Sequence, residues 1–402
     1  MNTERIFAIV EFLMWFSGSA VVNSKDARPN LENDTSLPHN KRLILPVDNR
    51  YSKTVFREKR SSKVKIKLKQ MWVRFVQFQF IVSTFMALFM LDYGSSTDIL
   101  IYASMNGVPL LTGLSAIVLF NLQKNIFLRT LRKFKKYGLS LWHRGGSILN
   151  KRDYILFAAA NISFWLRALP LSSRSNDQSM LNGAMFTTLY MIFLALLTVF
   201  YVFVKVIIKE FSCTTSELNT FVLLNSENKF NFNRKISRKL MKSPSNYRKI
   251  SSKKHEEDLV KANSALEGVE QSYFNNDAAL KALSEVFAWP LLLIAASSFT
   301  AIIFAIYFIA TLGLQTQDGV ADLLLHFSIA SNSFIFLLAM HNPVHELYDS
   351  MDNCQTALLR FHRHYGTFFD AATTSRVLSV ASRPRTLTLA GFGSLGRGCL
   401  TQ

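Results

Sequence analysis

A chain of 402 residues that is 49% hydrophobic and 13% aromatic, with 34 Phe and a formal charge of +19, is too apolar for ordinary multidomain soluble architecture. Its Lys and Arg residues fall in blocks between apolar runs, as in membrane loops, and no aromatic–basic platform accompanies them; the lipid bilayer is the expected partner and nucleic acid is not. Cys213, Cys354 and Cys399 are too scattered for a disulfide framework or a metal spacing.

Residues 1–24 contain a short apolar run, 6–16, that has the outline of a signal peptide. Glu11 sits in the middle of the run and weakens it as an export signal, so the expectation is an amphipathic cytoplasmic segment, with a cleaved leader as the alternative. Asn33-Asp34-Thr35 is a glycosylation sequon that would report export. Residues 41–70 are dense in Lys and Arg and abut a first span at 71–91, which places the whole N-terminal segment, 1–70, in the cytoplasm.

The loop 92–98 has no basic residue and belongs outside; a second span at 99–121 then returns to a loop carrying Lys124, Arg129, Arg132 and Lys133, which belongs inside. The third span, 154–171, contains Asn161 and Arg167, and the fourth, 183–208, has Lys205 in its last turn. Spans one to four therefore occupy 71–208.

A cytoplasmic region, 209–286, follows, with a Ser/Asn-rich centre at 242–252 expected to be a disordered loop between helical extensions of spans four and five. Leu259, Ala262, Leu266, Val269 and Tyr273 are spaced three and four apart; after a polar break at Asn275 to Asp277 come Leu280, Leu283 and Phe287. This helix is expected to run into the fifth span, which carries no charge from residue 286 to 314 and is long enough to cross a bilayer of about 30 Å. Span six, 321–342, is expected to end at Pro343, so spans five and six fill 287–342. A cytoplasmic tail, 343–402, runs into the start of a seventh span. The fold class is all-α: a polytopic transmembrane helical bundle with a cytoplasmic N terminus, six complete spans and an incomplete seventh.

His341 and His345 form an i, i+4 pair that could share a metal, with His362 and His364 further on. No paired-histidine box, Gly-rich phosphate loop, GxSxG elbow or HExxH accompanies them, so neither catalysis nor a cofactor or metal is expected. A different constellation carries more. Tyr102 and Asn106 of span two, Trp165 and Arg167 of span three, Tyr190 of span four, Tyr307 of span five and His326 of span six all fall in the extracellular halves of their helices. Aromatic and hydrogen-bonding groups at one depth suit a small-molecule pocket; an interfacial aromatic belt is the alternative.

With its basic cytoplasmic N terminus, inverted bundle and Phe-rich spans, the chain resembles the insect gustatory receptor family. The likeness is closest in residues 283–308, similar to that family's fifth helix, and in Leu389-Ala390-Gly391-Phe392 with Ser394-Leu395-Gly396-Arg397 and Leu400-Thr401, similar to the opening of its seventh. The family's signature, a Thr-Tyr pair followed by Gln-Phe in the seventh helix, would lie beyond Gln402, and Gly393 stands where a second aromatic is usual. The resemblance implies a plasma-membrane receptor for small-molecule tastants, assembling as a homo- or hetero-tetrameric ligand-gated cation channel with full-length receptors. It also implies that this chain is truncated before the end of its pore helix and conducts nothing alone. The alternatives are a G-protein-coupled seven-helix receptor, which requires an extracellular N terminus, and a metal-dependent membrane enzyme.

Overall fold

The computed structural model describes residues 8, 11–12, 14–15, 67–78, 81–82, 108–122, 126–127, 149–172, 177–239, 245–312, 319–365, 374–375 and 377–379. Their regular structure is entirely helical. The helices are α1 (Val108–Leu122), α2 (Lys151–Ser172), α3 (Asp177–Lys239), α4 (Ser245–Leu312) and α5 (Gly319–Tyr365). Of the expected spans one and two, residues 71–78, 81–82 and 108–121 are described, the last of these within α1; the loop at 92–98 and the seventh-span segment lie outside the described residues.

Three of these helices are far longer than a bilayer requires. At 1.5 Å per residue the 63 residues of α3 extend roughly 95 Å, about three times the hydrocarbon thickness. Within α3, α4 and α5 the stretches Leu189–Thr220, Leu266–Thr311 and Leu323–Arg363 are long and apolar enough to cross a membrane. Two compact units divide the chain: Met1–Val202 with Glu285–Met340, and Phe203–Ser284 with His341–Gln402.

In the first unit α3 is apolar and enclosed from Leu189 on: Ile192, Leu196, Val199 and Phe200 are all buried. Phe287 of α4 packs against Phe200, ring centroids 5.7 Å apart, and against Phe127 at 6.3 Å. The outward faces are apolar as well, with Ile155 and Ile162 on α2, Phe299, Ile303 and Ile306 on α4, and Leu324 and Phe327 on α5 all exposed. Hydrophobic exteriors of this extent are stable against hydrocarbon rather than water. Polar side chains on these surfaces fold back onto their own helix: Asn161 donates to the Phe157 carbonyl at 2.8 Å, Thr300 to Ala296 at 2.9 Å and Thr311 to Tyr307 at 2.8 Å. In hydrocarbon no water would satisfy them, so the preceding turn does.

Also in this unit, Glu11 pairs with Lys69 at 2.8 Å. The same ammonium lies 5.5 Å from the Trp15 ring centroid, and Trp15 meets Trp72 edge-on at 6.5 Å. Met14 is fully buried. The carboxylate that interrupts the apolar run is thus the partner of the basic block preceding span one.

The second unit is built on heptad spacing. Leu266, Val269, Tyr273, Asn276, Leu280 and Leu283 of α4 are buried at alternating steps of three and four, as are Val344, Leu347, Met351, Cys354, Leu358 and Phe361 of α5. The expected polar break at 275–277 is therefore not a break: Asn276 occupies the core position between Tyr273 and Leu280, and α4 is continuous through it. Two further expectations are corrected. Pro343 does not end the helix that carries span six, because α5 continues to Tyr365; proline removes one rung of the helix ladder, and the residues beside it, Val344 and Leu347, are buried. Nor is 242–252 a loop from end to end, since α4 begins at Ser245. Lys253 and Lys254 precede Glu257 and Asp258 by four residues, a spacing that supports helix where bulk composition suggests disorder.

Candidate functional site

Tyr190 is the centre of the best-defined polar feature in the first unit. It is buried on α3, donates its hydroxyl to the Ala160 carbonyl of α2 at 2.5 Å, and packs its ring on Phe336 of α5 at 5.4 Å. Phe193, one turn along, meets the same Phe336 ring edge-on at 6.2 Å. An aromatic ring that carries its own donor can bind the carbonyl of one neighbour while stacking on the ring of another, as a phenylalanine there could not. Eleven residues further along α3, Tyr201 donates to Asp153 at 2.5 Å and packs against Phe157 at 5.3 Å, so α2 and α3 run antiparallel. Asp153 in turn accepts from the Asn150 amide at 2.6 Å, capping the start of α2.

Next to the Tyr190 contacts are buried polar atoms without hydrogen-bond partners among the described residues. Ser163 lies one turn beyond Ala160 on α2, and its Oγ is unpartnered. Asn332 lies one turn before Phe336 on α5, 3% exposed, with both Oδ1 and Nδ2 unpartnered. Natural interiors rarely leave a whole primary amide unsatisfied.

Of the residues expected to form a ligand layer, Tyr102 and Asn106 lie outside the described residues. Trp165 and Arg167 fall on α2. His326 stacks on Phe308, centroids 4.8 Å apart and planes 22° apart, and Phe308 meets Tyr307 edge-on at 5.8 Å. Tyr307 itself is half-exposed beside Ile303 and Ile306 on the outward face of α4. Tyr190 belongs to a different level: Phe336 stands ten residues, about 15 Å, further along α5 than His326. The structure therefore brings Tyr307 and His326 into one aromatic row and seats Tyr190 separately. Sequence reasoning singles out Tyr190 but not Ser163, Asn332 or Phe336; a polar residue within an apolar span was the available signal for the first two.

His345 lies 3.6 Å from Asp349 one turn on, and among the described residues no group of three or more His, Cys, Asp or Glu side chains gathers. In the second unit Lys205, buried on α3, pairs with Glu346 of α5 at 2.5 Å, and Ser350 donates to the Ile208 carbonyl at 3.2 Å. These contacts set α3 and α5 parallel there.

Among solved structures, the chain is similar to the insect olfactory receptor OR5 from Machilis hrabei, with a TM-score of 0.63 and 12% identity over 99% of this chain and 94% of that one. The same receptor in complex with eugenol gives a TM-score of 0.56 at the same identity and coverage. The chain thus has the all-α transmembrane bundle fold of that receptor. No protein-family profile and no curated protein sequence matches it.

Proposed function

We propose that this chain is a chemoreceptor subunit of the insect kind, a plasma-membrane protein that binds small molecules within its helical bundle and takes part in a tetrameric ligand-gated cation channel. Its stimuli are tastants, in keeping with the resemblance of its fifth helix to gustatory receptors. The observation that carries this reading is the buried layer around Tyr190, where an aromatic floor of Phe193 and Phe336 adjoins unspent polar atoms on two helices. Pockets for small molecules have this composition: apolar walls and a few polar groups that fix orientation. The likeness in fold to a receptor solved with eugenol supports it.

Ligand control requires differential affinity, since a molecule that binds closed and open bundles equally shifts nothing. A group that bridges α2, α3 and α5, as Tyr190 does, is placed to supply that difference. The test is electrical recording from cells expressing this chain, alone and with a second chemoreceptor subunit, under a panel of tastants and eugenol. Ligand-evoked cation current that is lost in Tyr190→Ala is the expected result. Silence to every compound in both settings would overturn the proposal.

A further inference from the structure

We infer that Asn332 is the polar anchor of this site, and that its ligand is a small, mainly apolar molecule whose polar end is an uncharged hydroxyl, carbonyl or amide. The inference rests on the receptor reading above and adds the chemistry of what is bound.

Asn332 is 3% exposed, and neither atom of its amide has a hydrogen-bond partner among the described residues. The simplest remedy is open to it. Asn161 shows that an asparagine in this bundle can bond to the carbonyl four residues back, and Ser328 satisfies itself on Leu325 at 2.8 Å, one turn from Asn332. Asn332 does neither, so its donors and acceptor remain unspent. Ser163 is unspent in the same way, 6% exposed on α2.

The two residues lie in one layer. Ser163 is one turn from Ala160 and Asn332 one turn from Phe336, the two contacts of Tyr190. Because α2 and α5 cross the bilayer in opposite senses, both steps lead toward the end where α2 joins α3. A primary amide offers donors and acceptors together, and a hydroxyl offers one of each. Residues 154–166, 183–204, 287–312 and 327–340 carry no charge, so among the described residues these stretches of α2, α3, α4 and α5 offer an ionised ligand no counter-ion; the nearest charged residue in the α2 sequence is Arg167, one turn past Ser163.

The test uses the full chain in lipid nanodiscs and matched probes: benzyl alcohol against ethylbenzene, cyclohexanone against methylenecyclohexane, and benzoate, with binding read by intrinsic tryptophan fluorescence. The wild-type chain is expected to favour the oxygenated member of each pair by about tenfold, the worth of one or two neutral hydrogen bonds. Asn332→Leu should abolish that preference while leaving hydrocarbon binding and the melting temperature of the empty protein undiminished; Asn332→Met provides the same comparison if the leucine variant misfolds. Ser163→Ala should narrow the preference. A preference that survives in both Asn332 variants, no preference in the wild type, or tightest binding of benzoate would each overturn the inference while leaving the receptor reading intact. Failure of the wild-type chain to bind any probe would overturn both.

Discussion

Tyr201 and Asp153, 48 positions apart, share a hydrogen bond of 2.5 Å that ties the first turn of α2 to the middle of α3. The carboxylate is 2% exposed and also accepts the Asn150 amide, so one side chain both caps its own helix and docks it on the next. Tyr201→Phe removes one bond to a carboxylate and is expected to lower stability by about 1.5–3 kcal/mol. Asp153→Ala should lose more, because the cap goes with it. Thermal melts of the two variants and their combination, in detergent, check this: less-than-additive losses are expected, and strict additivity would show that the two groups act independently.

Lys205 and Glu346 make an uneven pair, the lysine 3% and the glutamate 46% exposed. Glu346→Ala leaves a buried ammonium without that carboxylate and is expected to cost about 1–3 kcal/mol. Adding Lys205→Met should recover most of the loss, since a methionine of similar length needs no counter-charge. If the double variant melts below Glu346→Ala, the lysine contributes through other contacts and the pairing argument fails.

Asn276 fills a heptad position of α4 and leaves its Nδ2 unpartnered among the described residues. A polar residue at such a position lowers stability and fixes register. Asn276→Leu should therefore raise the melting temperature, by an amount equivalent to about 1 kcal/mol or more. A lower melting temperature would show that the amide is satisfied in the membrane-embedded protein.

The spans and their basic loops give a definite sidedness. In intact cells a membrane-impermeant maleimide should label Ser175→Cys and Gln317→Cys, which join α2 to α3 and α4 to α5, but not Ser243→Cys. In the same cells Asn33 should remain unglycosylated. Labelling at 243 alone would invert the topology.

The membrane helices are legible in the sequence because hydrocarbon imposes a length and forbids charge, and both constraints are local. Heptad spacing is equally local, and Leu266 to Leu283 could have been followed without interruption had Asn276 been allowed a core position. What sequence could not convey is which polar group faces which neighbour. Tyr190 and Ala160, 30 residues apart, meet only because α2 and α3 fold back on each other. Asn161 and Asn332 look alike in sequence, yet one bonds to its own helix and the other does not. That difference depends on what surrounds each helix face. Pro343 misleads for a related reason: in water a proline commonly terminates a helix, whereas here α5 continues through it, with Val344 and Leu347 buried.

Pro290 and Pro343 both lie within continuous helices, and each lacks the amide hydrogen that would reach the carbonyl four residues back, on Val286 and Ala339. At those two points α4 and α5 resist bending with one hydrogen bond fewer than elsewhere. Both points fall within a few residues of where each helix passes from one compact unit to the other. Restoring the amide by changing either proline to alanine would return that hydrogen bond to the helix without removing a single side-chain contact named above.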